Sequence, residues 1–314
     1  MKQFQDLRIV FIGTPDFAVA SLHALVVAGA NIVGVVTAPD KPAGRGMHLQ
    51  APPVKVYAQQ HSIPVLQPEK LKNPDFLTQL KALNADIQVV VAFRMLPEAV
   101  WNMPPMGTIN VHGSLLPQYR GAAPINWTII NGEQETGVTT FKLKHEIDTG
   151  DILLQQAVPI LPTDDAGTLH DKLMLEGAAL LVTTIKGLAA GTLQELPQNK
   201  VETAQLIHAP KIFKHHLLLD FTTPAHDLEL RIRGFSPYPA AFTLLEGKQL
   251  KIFRAHVHIE PMRAEPGKSQ SDGNSFLRFA ASDGWLYADE VQLEGKKRMD
   301  IAAFLRGYRF ATPA

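Results

Sequence analysis

The stretch "LRIVFIGTPDFAVASLHALVVAG", residues 7–29, sets a β-branched apolar run against an apolar run of helical spacing, with Gly13 and Pro15 between them. A continuous apolar run closed by a glycine suits a strand covered on both faces. The segment after it opens on Asp16, and an acidic residue favours the start of a helix. Strand, turn and helix in this order begin an α/β unit. The pattern continues through "NIVGVVT" (31–37), a polar loop and the helix-like "PVKVYAQQH" (53–61). Further apolar strands are "DIQVVVAF" (86–93), "GTINVH" (107–112), "TGVTTFKL" (136–143) and "DILLQQAVPI" (151–160). Such alternation predicts a doubly wound α/β domain with a mostly parallel sheet.

Residues 166–190 repeat apolar positions at helical spacing, which predicts one long helix packed across that sheet. The periodicity then stops and Gly, Pro, Gln and Lys collect, as in a linker. Beyond it, "PAHDLELRIRGF" (224–235) reads as a helix, and "AAFTLLEG" and "KQLKIFRAHVHIE" read as strands joined by a tight turn. The expected organisation is a catalytic domain over residues 1–190, a linker over 191–208, and a smaller C-terminal β-barrel over 209–314.

Composition narrows the function classes. The 314 residues carry 30 Lys and Arg against 30 Asp and Glu, so no global excess announces a nucleic-acid or membrane-surface protein. The balance is uneven, with 15 basic against 18 acidic residues in 1–208 and 15 against 12 in 209–314. A mildly basic C-terminal part suits either a polyanionic partner or an ordinary solvated surface. The chain has no cysteine, which removes disulfides, thiolate nucleophiles and thiolate metal sites and suits a reducing cytosol. Neither a signal peptide nor a membrane-spanning stretch is expected.

The strongest chemical signal is "INVHGSLLPQYRG", residues 109–121. Positions i and i+2 of a strand share a face, so Asn110 and His112 project together. They stand at the end of a strand, where open α/β sheets place ligands. A carboxylate beside His112 would orient the imidazole and fix its tautomer, while Asn110 could donate to a developing oxyanion. Asp148, in the glycine-containing turn "IDTGDI" (147–152), can supply that carboxylate or can serve only the turn. Together they would make an acyl-transfer site without a protein nucleophile.

Other features are less specific. The turn "GTPDFA" (13–18) suits a phosphate on a helix N-terminus or a plain structural turn, and it lacks the dinucleotide-binding spacing. The loop "TAPDKPAGRGMHLQAPP" (37–53) presents Lys41, Arg45 and His48, either for a polyanion or as a tolerated surface insertion. His215 and His216 are adjacent, so on a strand they would face opposite sides and make poor joint ligands. No metal site is expected. The G-x-S-x-G pattern of serine hydrolases is absent.

"NVHGSLLPQYRGAAPINW", followed by "TGVTTFKL" and "IDTGDI", closely resembles the signature of the formyltransferases that use 10-formyltetrahydrofolate as donor. With "GTPDFA", "DKPAGRG" and "FSPYPAAFTLLEGKQLKI", the chain is similar over most of its length to the members that formylate methionine on initiator tRNA. The resemblance implies Asn110, His112 and Asp148 as the catalytic trio. It places folate against Ser114, Leu115, Leu116 and Pro117 and against the segment carrying Phe93 and Arg94, where relatives often have Tyr-Gly. It implies tRNA contacts at Arg45 and Lys41 near the acceptor end, and at Lys211 and Lys214, with Arg231 and Arg233 as further phosphate contacts. The C-terminal barrel would be of the oligonucleotide-binding type. A cytoplasmic monomer is expected, with 10-formyltetrahydrofolate and initiator Met-tRNA as partners and neither DNA nor membrane. The same trio would also serve a sugar-nucleotide N-formyltransferase or a formyltetrahydrofolate hydrolase. A folate- or RNA-binding protein without catalysis would not need all three residues.

Overall fold

A computed structural model of the chain describes residues 2–43, 48–200 and 205–310. The first sheet is built from β1 (Arg8–Gly13), β2 (Asn31–Val36), β3 (Val65–Leu66), β4 (Ile87–Val91), β5 (Thr108–His112), β6 (Glu135–Lys142) and β7 (Ile152–Pro159). They lie in the order β7-β6-β5-β4-β1-β2-β3. The five from β5 to β3 run parallel, and β6 and β7 pair antiparallel at the other edge. The mostly parallel, doubly wound sheet is therefore present, although β6 runs against the rest, and β7 beyond it returns to their direction while pairing antiparallel with β6.

Burial explains the apolar runs. Every residue of β4 is buried, and β1 is buried from Ile9 onward, as strands covered on both faces must be. One core gathers Val10, Ile12, Val36, Phe76, Leu80 and Val90. Because chain order steps outward in opposite directions from β1, the strand C-termini at Gly13 and Val91 flank the reversal point, where such sheets bind ligands. Gly13 is needed there: a Cβ would lie 2.6 Å from the Ala18 Cβ and 2.9 Å from the Val91 carbonyl. The turn after it leads into the helix Asp16–Val27, as the sequence indicated.

The predicted long helix spans Ala166–Ala190. By length and composition alone it is apolar enough to cross a membrane, which corrects the expectation that no such stretch exists. Leu173, Leu181 and Ile185 are buried at spacings close to whole turns, and Thr184 shares a hydroxyl hydrogen bond of 2.8 Å with Thr140 of β6. Its polar positions include Asp171, Lys172, Glu176 and Lys186. That pattern is the packing of a helix on a sheet.

The chain divides into two compact units, one of Met1–Gly121, Glu135–Pro159 and Asp171–His208, the other of Ala122–Gln134, Ile160–His170 and Ala209–Ala314. In the second unit, β8 (Ala241–Leu245), β9 (Lys248–Ile259), β10 (Ser269–Ser271), β11 (Leu277–Ala280), β12 (Gly284–Leu293) and β13 (Met299–Asp300) are antiparallel. The order is β8-β9-β12-β11-β10, with β13 on β12. This is the antiparallel sheet expected of the C-terminal part, curled as a half-barrel. Glu246 and Gly247 at φ +49° and +78° form the two-residue turn between β8 and β9. The helix Ala225–Phe235 packs Leu228, Ile232 and Phe235 into a core with Ile252, Phe279 and Leu286. The short helix Pro124–Ile130 belongs to this unit, with Asn126 donating to the Gly234 carbonyl at 2.7 Å and Trp127 to the Pro210 carbonyl at 2.7 Å.

Candidate active site

The last residue of β5 is His112, and its parallel neighbour β4 aligns Val90 with Asn110. On the other side, β6 aligns Phe141 with Asn110 and Thr139 with His112. Period-two geometry places Asn110 and His112 on one face, as the sequence predicted. His112 is buried, with the Phe141 ring edge-on to it at 6.5 Å between centroids. Its Nε2 donates to the Tyr119 carbonyl at 2.9 Å, and its Nδ1 stands 3.9 Å from Asp148 Oδ2. Asn110 is half-buried, and its side-chain amide has no hydrogen-bond partner among the described residues.

Asp148 is brought there by the turn between β6 and β7. Gly150 lets that turn close on β6, since a Cβ at this position would lie 1.5 Å from the Lys142 carbonyl oxygen. Asp148 itself takes φ +54°, a left-handed conformation uncommon outside glycine. Its Oδ2 accepts the Gly121 backbone N–H at 2.9 Å. The consecutive residues Tyr119, Arg120 and Gly121 thus hold the imidazole through one carbonyl and the carboxylate through one amide.

The "SLLP" loop is fastened from beneath by a residue the sequence reading passed over. Thr139, fully buried on β6, donates to the Ser114 carbonyl at 2.6 Å and accepts from the Leu116 N–H at 3.1 Å and Gln155 Nε2 at 2.9 Å. Gln155 also donates to the Leu116 carbonyl at 2.9 Å. The Ser114 hydroxyl donates to the Gln118 carbonyl at 2.7 Å, and Ser114, Leu116 and Pro117 are buried while Leu115 is half-buried. Phe93 packs partly against the core of the first sheet. Arg94 is spent on neighbouring backbone, donating to the Pro68 and Glu69 carbonyls at 2.6 and 2.9 Å and lying over the Phe93 ring.

In the 37–53 segment, Lys41 is exposed on a two-stranded ribbon, Lys41–Ala43 with His48–Gln50, where the sequence suggested an unbroken loop. Arg45 lies outside the described residues. The foot of the segment is fixed by Asp40, which accepts from Lys55 Nζ at 2.7 and 2.9 Å and from Gln67 Nε2 at 2.7 Å. The Lys55 hydrogen bond first, then that of Gln67, holds the Asp40 carboxyl below the usual range.

In the second unit, Lys211 and Lys214 are exposed beside Phe213, whose ring the Lys211 ammonium overlies at 5.7 Å. His215 and His216 do not occupy a strand: they lie on the 3-10 turn Lys214–Leu217 with ring centroids 4.0 Å apart. Arg233 donates to the Asp164 and Leu161 carbonyls at 2.9 and 3.1 Å, so its guanidinium is committed to backbone. Among the described residues no group of three or more His, Asp or Glu side chains is placed to hold a metal ion.

Comparison with known proteins adds a family to this geometry. The family model described as "Formyl transferase" matches residues 7–185, and "Formyl transferase, C-terminal domain" matches residues 211–309. A methionyl-tRNA formyltransferase of Parabacteroides distasonis is 53% identical over 313 residues, covering 97% of both chains. One of Bacteroides fragilis is 51% identical over 310 residues, covering 97% of this chain and 96% of the other. Among solved structures, WlaRD, a sugar 3N-formyl transferase in the presence of dTDP and 5-N-formyl-THF, superposes with a TM-score of 0.67 at 18% identity, covering 93% of this chain and 99% of the other.

Proposed function

The chain belongs to the formyl transferase family in both its N- and C-terminal parts, and we infer from this that it moves the formyl group of 10-formyltetrahydrofolate to the α-amino group of methionine on initiator Met-tRNA. The observation that carries the reading is the pairing of His112 with Asp148 beside an unpartnered Asn110, in a chain about half identical along its length to methionyl-tRNA formyltransferases. A half-buried amide with no hydrogen-bond partner among the described residues suits an acceptor oxygen supplied by the formyl donor.

The transfer forms a bond from the amine nitrogen to the formyl carbon and breaks the bond from that carbon to the folate N10. One proton leaves the amine and one reaches N10. Asn110 donates its side-chain N–H to the formyl oxygen as negative charge grows there. Since Nε2 of His112 is bound to the Tyr119 carbonyl, Nδ1 is the atom that holds and releases a proton. Asp148, fixed by the Gly121 amide, stabilises the imidazolium and assists removal of the amine proton.

On this reading the 114–117 loop and Phe93 wall the folate. Arg94 shapes that wall by holding the 68–69 backbone. Lys41 and Arg45 meet the acceptor end of the tRNA, while Lys211 and Lys214 meet phosphates of its body, in the cytoplasm where translation begins. Catalysis falls to the part read as residues 1–190 and tRNA contact to 209–314, with the 191–208 stretch lying within the first compact unit and 122–134 and 160–170 within the second. A single-turnover assay of His112→Ala tests the trio: folate binding within a few-fold of wild type, with transfer reduced on the order of 100-fold or more, is the expected result. Unchanged transfer would remove His112 from the mechanism.

A further inference from the structure

We propose that Gln198, backed by Arg120, is a positioning residue that sets the Asp148 carboxylate against His112. The proposal rests on the reading of the trio given above. Asp148 adopts a left-handed backbone conformation, which aspartate tolerates better than most residues and which the hydrogen bonds of the turn select here. One side chain holds the turn from behind. Gln198 Nε2 donates to the Asp148 carbonyl at 2.8 Å and to the Gly150 carbonyl at 2.7 Å, spanning the turn.

The opposite end of the same amide is equally occupied. Gln198 Oε1 accepts from Arg120 Nε at 2.9 Å and Arg120 Nη2 at 2.5 Å. Two donors and two acceptor positions are the whole capacity of a glutamine side chain, and only this orientation of the amide satisfies both neighbours. Gln198 is 5% exposed, so water offers these groups little competition. Its segment is pinned where it meets β7: Leu196 and Ile152 exchange backbone hydrogen bonds of 2.8 and 2.9 Å.

Arg120 completes a loop of contacts. It adjoins Gly121, whose N–H holds the Asp148 carboxylate, and Tyr119, whose carbonyl holds His112. The Arg120 side chain steers the Asp148 backbone through Gln198, while its neighbours fix the two reacting groups. Among the described residues the Gln198 side chain hydrogen-bonds only backbone carbonyls and Arg120, so its part in the reaction is indirect.

The variant Gln198→Glu keeps the size of the side chain and its acceptor toward Arg120, but turns a second oxygen toward the two carbonyls. The test is a cycle of four proteins, wild type, Gln198→Glu, Asp148→Asn and the double variant, with kcat and KM measured for formyl transfer to charged initiator tRNA. The proposal predicts that Gln198→Glu lowers kcat by on the order of 100-fold, with both KM values held within about threefold. In the Asp148→Asn background the same change should cost less than about threefold in kcat, because the group it positions is already impaired. An unchanged kcat, a rise in KM alone, or an equal loss of kcat in both backgrounds would overturn it.

Should Gln198→Glu fail to fold, Arg120→Met enters the same cycle with the same expectations. If the wild type does not formylate charged tRNA, the functional reading fails by itself. The cycle is then read on formate release from 10-formyltetrahydrofolate, where the same kcat pattern supports the clamp and multiplicative losses reject it.

Discussion

His112 Nε2 donates to the carbonyl oxygen of Tyr119 at 2.9 Å, so the neutral imidazole carries its proton on Nε2 and exposes a lone pair at Nδ1, the nitrogen 3.9 Å from Asp148. A backbone carbonyl cannot donate, which leaves no other neutral tautomer for this bond. Nitrogen-15 NMR of the neutral imidazole should therefore report the Nε2–H form. A dominant Nδ1–H form would mean that the Tyr119 contact does not order the ring and that proton transfer at Nδ1 is misassigned.

Thr139 ties the floor of the "SLLP" loop through three hydrogen bonds. Replacing it with valine keeps the branching but strands the Ser114 carbonyl and the Leu116 amide in a buried place. Destabilisation of about 1–3 kcal/mol is expected in urea unfolding, together with weaker folate binding. An unaltered unfolding midpoint would show that the loop re-pairs its backbone elsewhere.

Gly150→Ala should be worse tolerated than its single methyl suggests. The added carbon would meet the Lys142 carbonyl at 1.5 Å, so the turn that carries Asp148 must move. A loss of more than about 2 kcal/mol in stability, or a well-folded protein with little turnover, is the expected outcome. Wild-type stability with wild-type kcat would contradict the placement of this turn against β6.

Acid should expose another link. Burial pushes the Asp86 carboxyl up, yet the hydrogen bonds from Lys2 Nζ at 2.6 Å and from the Arg8 N–H at 2.9 Å outweigh it, and the group lies below the usual carboxylate range. A lowered folded value means that the stabilisation is present above the unfolded value of 3.8 and disappears as pH falls through the folded one. Asp86→Asn should lose roughly 1 kcal/mol at neutral pH, discounted for the exposed lysine, and its deficit should shrink and disappear as pH falls below 3.8 and through the lowered folded value. A deficit independent of pH would place the effect in packing.

Lys211 and Lys214 face solvent beside an exposed phenylalanine, so as phosphate contacts they would act through counterion release. Substituting either with alanine should weaken tRNA binding and reduce the slope of log affinity against log salt by roughly 0.7–0.9. An unchanged slope would remove that lysine from the interface.

Much of this arrangement was legible because two kinds of periodicity are local. The apolar runs of β1 and β4 and the spacing of residues 166–190 announce their elements directly, and period two puts Asn110 with His112. The approach of Asp148 was not legible, since it depends on how β6 and β7 fold back on each other and on the closeness allowed by Gly150. A signal for the antiparallel pair was present: residues 143–151 are too few for the crossover that parallel strands need. Gln198 sits in a segment without periodicity, read for its Gly, Pro and Gln content as a linker, and nothing local marks which glutamine meets two carbonyls. Arg94 and Arg233 look like free cations in the sequence, yet each caps backbone carbonyls, because a guanidinium with five donors takes whichever acceptors the fold brings near.

The central claim, formyl transfer to the methionine of initiator tRNA, is tested most directly by supplying purified protein with 10-formyltetrahydrofolate and one of three acceptors: Met-charged initiator tRNA, an amino-sugar nucleotide, or water alone. The account predicts formyl-methionine on the charged tRNA, with little formyl-sugar and little free formate. A formylated sugar nucleotide or rapid formate release, with the charged tRNA left unmodified, would contradict it.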